Sequence, residues 1–228
     1  MVIRFLRRLT VLVVVAVAVA LGISAIGFTL HRIETFHFFT FNNRMEGSIK
    51  EIEGSIKVDQ QRQNVTIRII SIIDKYNPTM STELKQVIAD LIYKMEVKYD
   101  NLNVDLICAT ITHESARTWD PKVISPVGAM GLMQIMPKTG QFLVEYENLK
   151  WTSAEEILNN PIYNVRMGCR YLSMLIDFYG IEGALAAYNG GEKRAAMWLA
   201  NNKADGILWE ETQNYVPAVM KLYRKFQN

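Results

Sequence analysis

Two patterns of apolar positions divide the chain. From Leu9 to Leu30 apolar residues run almost without break and no charge interrupts them, and about 20 such residues suffice to cross a bilayer as a helix. Beyond residue 80 the apolar positions recur with helical period instead. Leu84, Val87, Ile88, Leu91, Ile92 and Met95 follow the i, i+3, i+4, i+7 spacing, with Ser81 or Thr82 placed as the cap. Asn101 to Asn103 break the chain, and the next predicted helix carries Val104, Ile107, Cys108 and Ile111 on one face. At ~100° per residue, Glu114 projects within roughly 20° of Ile107, so its carboxyl continues an apolar stripe. Pro121, Pro126, Gly128, Gly131 and Pro137 then mark a long structured loop. Helices are predicted again near 153–158, over 161–179 with Val165, Gly168, Leu172, Leu175 and Ile176 inward, over 184–188, over 192–200, and from about 211 to 226. No strand-rich region is visible, and the predicted class is all-α.

The stretch between the two patterns has its own character. Phe36 to Phe41 is aromatic-rich. A short tandem follows, Glu46-Gly-Ser-Ile-Lys-Glu-Ile and Glu53-Gly-Ser-Ile-Lys-Val-Asp, with Ile49, Ile52 and Ile56 at coiled-coil-like spacing. Gly47, Gly54 and a length of about two heptads favour a solvated linker of partial helicity over a stable coiled coil. Val65 to Tyr76 is isoleucine-rich and is predicted helical because it feeds Asn77-Pro78, a natural stop.

Charge gives the apolar segment a direction. Arg4, Arg7 and Arg8 precede it and only Arg32 follows closely, so the positive-inside rule places the N-terminus in the cytoplasm and the rest outside. Ala16-Val-Ala18 and Ala18-Val-Ala20 offer cleavage patterns for a signal peptidase, but the apolar run continues through Ile23, Ile26 and Phe28, longer than a typical signal core. The expected organisation is a cytoplasmic tail at 1–8, an uncleaved single-pass anchor in the inner (cytoplasmic) membrane at 9–30, a juxtamembrane linker or stalk at 31–75, and one extracytoplasmic domain at 76–228. The chain's formal charge of +2 is carried by the anchor: residues 1–32 hold four arginines and no acid, which leaves −2 for the remainder. That balance has no electrostatic footprint for nucleic acid.

Several chemistries fail on residue type. His113-Glu114 begins like a zinc-protease motif, but Arg117 stands where the second ligand is needed. His31, His37 and His113 form no plausible metal cluster, no P-loop or nucleophile elbow is present, and no cofactor is expected. Cys108 and Cys169 read as buried thiols in helices. Asp105 reads as a helix N-terminal charge and Asp120 as a turn former. Neither makes a convincing partner for a two-carboxylate glycosidase. Glu114 is left as a single carboxylate at an apolar edge, where desolvation raises its pKa into the range useful to a general acid.

Glu114-Ser115, then Trp119-Asp-Pro-Lys-Val-Ile-Ser-Pro-Val-Gly-Ala-Met-Gly-Leu-Met-Gln-Ile-Met-Pro137, resembles the core of the soluble-type lytic transglycosylases. Asn164-Val-Arg-Met-Gly-Cys-Arg-Tyr-Leu172, Ala184-Leu-Ala-Ala-Tyr-Asn-Gly-Gly191 and Glu211-Thr-Gln-Asn-Tyr-Val216 continue the resemblance in order. Two departures stand out: Glu114 to Trp119 is about two residues longer than the family spacing, and Gly190 replaces the usual alanine. The resemblance implies a goose-type lysozyme-like fold and cleavage of peptidoglycan glycan strands between N-acetylmuramic acid and N-acetylglucosamine, with a 1,6-anhydro product. It implies Glu114 as sole acid/base and a sugar site lined by Ser125, Gln134 and Met136. Tyr188 matches the tyrosine near the catalytic carboxyl, Asn189 lies beside it, and Tyr215 belongs to the late motif, where Glu211 reads as structural. Gly128 and Gly131 are expected to let backbone approach the glycan. Taken alone, Ser125 reads as a turn hydroxyl, Met133 and Met136 as core fillers, and Tyr188 as a core phenol. A hydrolytic muramidase, or a non-catalytic wall-binding accessory of a secretion machine with a protein partner, remains the alternative.

Overall fold

The computed structural model describes residues 2–227, and among these the side chains of 3–9 and 34 lie outside the description. The expected flanking arginines Arg4, Arg7 and Arg8 fall among the latter. The first helix, α1, covers Val2–Tyr76. The chain divides into two units, Met1–Gln60 and Gln61–Asn228, so α1 begins in one and ends in the other.

Among the described residues of the first unit, none is buried. Val11 to Leu30 expose their apolar side chains, as do Phe36, Phe38, Phe39, Phe41, Ile49, Ile52 and Ile56. Among the described residues, one helix, Thr10–Tyr76, is long and apolar enough to cross a membrane. Its hydroxyls turn back onto the helix: Thr29 donates to Ala25 O at 3.0 Å and Thr35 to His31 O at 2.7 Å, which satisfies them without water. The tandem at 46–59 is helical throughout rather than partly so. Each glycine costs about 1 kcal/mol against alanine, but Glu46 and Lys50, like Glu53 and Lys57, stand at the favourable i, i+4 spacing.

The second unit is a bundle of helices. It begins earlier than the expected boundary at 76, because Ile69 and Ile73, near the end of α1, are fully buried in its core. Ser81 caps α2 (Thr82–Lys98) by accepting from Leu84 N–H. Ile88, Leu91, Ile92 and Met95 face inward, whereas Val87, expected inside, is exposed. Asn103 caps α3 (Val104–Glu114) by accepting from Leu106 N–H. The sequence suggested one apolar face for α3, but Leu106 through Thr112 are buried all round, the mark of a central helix. There follow α4 (Pro137–Leu143), a 3-10 turn at Val144–Glu147, and α5 (Ala154–Leu158). Next, α6 (Pro161–Gly190) absorbs the two helices expected at 161–179 and 184–188; they join across Gly180, whose φ of 66° bends the helix. α7 (Glu192–Ala200) and α8 (Glu210–Gln227) complete the order. No β-strand occurs among the described residues, only isolated bridges of Ile124 and Ile135 with Met130. Cys108 and Cys169 are buried free thiols.

One buried polar side chain shapes the loop between α3 and α4. Asn164 of α6 accepts from Met133 N–H at 2.8 Å and donates to Met130 O at 2.8 Å and Leu158 O at 2.9 Å. All its amide groups are thereby used inside the core, where an unmade bond costs most. Gly131 fits over it at φ 77°; a Cβ there would stand 2.3 Å from Asn164 Nδ2 and from Leu158 O. The close approach Gly131 permits is thus to Asn164 rather than to a glycan.

Candidate active site

Glu114 is the last residue of α3, and its position follows from that helix. Eight buried residues carry α3 through the core, and the helix stops at Ser115, whose hydroxyl accepts from Trp119 N–H at 3.1 Å. Trp119, fully buried, donates its indole N–H to Thr112 Oγ1 at 3.0 Å and packs beneath the loop. Between them the chain turns through left-handed conformations at Ala116 (φ 50°), Arg117 (φ 64°) and Trp119 (φ 48°). The turn from Glu114 to Trp119 takes this path at a cost of roughly 1–2 kcal/mol per non-glycine residue.

A cavity of about 660 Å³ opens at the end of α3. It is lined by Glu114, by Ser125, Gln134 and Met136 of the loop, by Tyr188 and Asn189 of α6, and by Tyr215 of α8. All seven residues singled out from sequence meet in one place. Tyr215 donates its hydroxyl to Glu114 Oε1 at 2.6 Å, and the His113 ring meets Tyr215 edge-on at 4.7 Å. Burial pushes the Glu114 carboxyl up from 4.5 to about 8; the Tyr215 hydrogen bond opposes this and the nearby Glu211 charge adds to it. The group therefore holds its proton at neutral pH. Burial also lowers the pKa of His113, with Arg117 acting in the same direction.

The other polar residues are already engaged. Gln134 sits at φ 45° and donates its amide to Gly131 O at 2.9 Å and Val123 O at 3.1 Å. Ser125 Oγ accepts from Ala129 N–H at 3.0 Å. Tyr188 does not bond Glu114; its hydroxyl donates to Met133 O at 2.8 Å. Asn189 accepts from Thr212 Oγ1 at 2.7 Å and donates toward Glu211 at 3.4 Å. The unusual Gly190 belongs to this contact, since a Cβ would lie 2.6 Å from Thr212 Oγ1.

Some lining residues were not anticipated: His113, Val127, Ala129, Glu211, Asn214 and Ala218. Glu211, read as structural, stands in the cavity wall, so a second carboxylate is present after all. Its signal was legible: Glu211, Asn214 or Tyr215, and Ala218 recur one helical turn apart. Asp105 does not approach the cavity lining; it pairs with Arg68 at 2.5 Å. Asp120 accepts from Lys122 N–H at 2.9 Å in a turn. Among the described residues no group of three His, Cys, Asp or Glu is placed to hold a metal.

Residues 91–208, more than half of the chain, match the family described as Transglycosylase SLT domain. The chain belongs to that family. The SLT domain is 37% identical over 122 residues to the soluble lytic murein transglycosylase of Escherichia coli (strain K12), covering 49% of this chain and 19% of that one. It is 33% identical over 119 residues to the membrane-bound lytic murein transglycosylase C of Histophilus somni (strain 2336), covering 52% of this chain and 31% of that one. Among solved structures, the 70 kDa soluble lytic transglycosylase of Escherichia coli superposes with a TM-score of 0.52 at 34% identity, over 61% of this chain and 24% of that one. The matched part of this SLT domain thus corresponds to about a fifth to a third of these relatives.

Proposed function

We propose that the chain is a membrane-anchored lytic transglycosylase that cleaves the β-1,4 bond between N-acetylmuramic acid and N-acetylglucosamine in peptidoglycan. The observation that carries this is the Glu114 carboxyl in the cavity lining, held by Tyr215 in a setting whose burial favours its protonated form. Membership of the SLT family and the likeness to murein transglycosylases support the substrate.

Glu114 gives its proton to the glycosidic oxygen as the bond to the muramoyl C1 breaks. The substrate's own N-acetyl group stabilises the positive centre, as in substrate-assisted glycosidases. Glu114, now a carboxylate, takes the proton of the muramoyl O6 hydroxyl, which closes on C1. Tethering of O6 to the reacting ring favours this over attack by water. Burial favours the protonated Glu114 carboxyl, and the charge of Glu211 adds to that effect. Gln134, Ser125 and Asn189 hold the walls, and Met136, 42% exposed, offers an apolar face to the sugar.

Glu211 also motivates a second reading, a hydrolytic muramidase in which it activates a water. Mass spectrometry of the released muropeptides separates the two: a 1,6-anhydro end is lighter than the hydrolysed sugar by one water. Reducing ends from the wild type would overturn the transglycosylase reading. No release of muropeptides would overturn both and leave a non-catalytic wall-binding role.

The apolar helix and the likeness to a membrane-bound transglycosylase support a single-pass anchor at 9–30 with the domain outside. Protease added to spheroplasts should then digest the domain and leave a membrane-bound N-terminal fragment. Recovery of a soluble protein starting near Leu21 would show a cleaved signal instead.

A further inference from the structure

The α8 face that lines the cavity does not end with it. Asn214 and Ala218 line the cavity, and Lys221 and Lys225 continue the same i, i+4, i+7, i+11 stripe, about 10 Å further along the helix. Two other elements converge on that end. Arg68 of α1 donates to Phe226 O at 3.1 Å and ties the end of α8 to α1, near whose end Lys75 is exposed. Arg117, on the strained turn directly after Glu114, shares a second cavity of about 650 Å³ with Tyr76 at the end of α1. Lys75, Arg117, Lys221 and Lys225 are all exposed, and none of them takes part in an ion pair among the described residues.

Their mutual closeness has a cost. Lys75, through a side-chain contact and its charge, together with Arg117 and Lys221, holds the pKa of Lys225 below its ordinary value. A helix C-terminus favours cations, which accounts for Lys225 at the end of α8 and for Lys75 in the last turn of α1. It does not account for Lys221, more than a turn before the end of α8, or for Arg117, which comes from another element to a place where it repels Lys225. An anion in that place would relieve the repulsion.

We propose that Arg117, Lys221 and Lys225, with Lys75 beside them, form a binding track for the carboxylates of peptide stems borne by the glycan chain that enters the cavity. This rests on the peptidoglycan reading above. The direction of the track fixes the choice of anion: it extends from the cavity wall along one helix face, so a substituent on the bound glycan reaches it without leaving the surface. The lengthened Glu114–Trp119 turn supplies Arg117 to this track.

The test uses the full-length protein in detergent, carrying Glu114→Gln so that ligand is not turned over. Fluorescence anisotropy compares a labelled disaccharide bearing its tetrapeptide stem with the same disaccharide stripped of peptide. The stem-bearing ligand should bind more tightly, and the advantage should shrink as salt rises from 50 to 300 mM, as the screening length shortens (roughly 10 Å at 0.1 M). Lys221→Glu with Lys225→Glu should weaken stem-bearing binding about threefold to tenfold, the scale of two partly screened charge contacts. It should leave stem-free binding and the melting temperature unchanged, and Lys→Arg at both positions should retain wild-type affinity. Equal loss for both ligands, or no loss, would overturn the track while leaving the peptidoglycan reading intact. Binding of neither ligand by the unsubstituted track overturns both. Loss of adhesion to phosphatidylglycerol vesicles, with stem-bearing affinity unchanged, assigns the patch to a lipid surface and overturns the proposal.

Discussion

Two carboxylates in this protein lose water on folding and meet opposite fates. Glu114, at the end of α3, has one neutral partner, the Tyr215 hydroxyl, and an acidic neighbour in Glu211. Its pKa rises to about 8. Glu147, in the 3-10 turn after α4, has a side chain only 1% exposed, yet it accepts from Arg166 at 2.8 Å and Arg170 at 2.7 Å, with Lys98 at 3.8 Å. Burial pushes its pKa up, but Arg170, Lys98 and Arg166 outweigh that and hold it below 4.5. Desolvation favours the neutral acid in both places, and the partners decide. One carboxyl is kept ready to give a proton; the other fastens a turn to α6.

The largest effect belongs to Glu114→Gln. It keeps shape and can keep the Tyr215 contact, but it cannot donate to the leaving oxygen. Cleavage of purified peptidoglycan should fall by ~10²–10⁴-fold, the usual worth of general acid–base catalysis, since one group serves both steps. Stability should move the other way. The folded pKa lies above the ordinary 4.5, so the wild type is progressively destabilised as pH rises from 4.5 through about 8, and the glutamine variant is not. Thermal melts of the two should coincide at pH 5 and separate at pH 9, with the variant higher. Undiminished cleavage by the variant would remove Glu114 from the chemistry.

Glu147→Gln should reverse the pattern. Breaking a buried pair by removing one member costs about 3–5 kcal/mol, and denaturant unfolding at pH 7 should show a loss of that order. Because the folded pKa lies below 4.5, this stabilisation is present above 4.5 and is lost as pH falls through the lowered value. Wild type and variant should converge at low pH. Activity per folded molecule should hold, as Glu147 is not among the cavity residues. An unchanged unfolding curve at pH 7 would show that the three cations do not stabilise this carboxylate.

The two sites also differ in how far the sequence revealed them. Glu114 was visible as a polar residue continuing the apolar stripe of α3, and its surroundings were visible through ordered motifs that match a known family. Glu147 carried no such sign, because its partners lie 19 and 23 residues away on α6 and only tertiary packing brings them in. The helices followed from apolar period and capping residues, and Ser81, Asn101–Asn103 and Pro161 mark their edges. The loop was harder. Asn164 reads as a polar residue opening α6, and nothing in its neighbourhood announces that it holds Met130 and Met133 from beneath. Glu211 was legible in kind but was assigned a structural role, since its place in the wall depends on how α8 crosses the end of α3.

A moderate effect is expected from Tyr215→Phe, which removes a hydrogen bond that favours the Glu114 carboxylate. Two consequences separate. Turnover should fall about tenfold to a hundredfold, because one hydrogen bond to a charged group, worth roughly 1.5–3 kcal/mol, is lost in the step where Glu114 is ionised. The alkaline limb of the pH–rate profile should shift upward from near 8, because the bond lowers the Glu114 pKa and its removal lets that value rise. A limb that moves downward or stays in place would show that Tyr215 does not set the acidity of Glu114.

Gln134→Ala and Tyr188→Phe should have the smallest effects, and they divide loop shaping from sugar contact. The Gln134 amide is used on Val123 and Gly131, and the Tyr188 hydroxyl on Met133. Each bond is worth roughly 0.5–1.5 kcal/mol net, so turnover should drop about twofold to tenfold with partial activity surviving. If these residues act by holding the loop, the melting temperature should fall together with activity, by about 2–4 °C per kcal/mol for a domain of this size. If they act only on the sugar, activity falls at unchanged melting temperature. The geometry favours the first outcome, because the donors already face backbone carbonyls rather than open cavity. Wild-type kinetics in both variants would remove Gln134 and Tyr188 from the site and leave the helix-borne pair, Glu114 and Tyr215, to carry it.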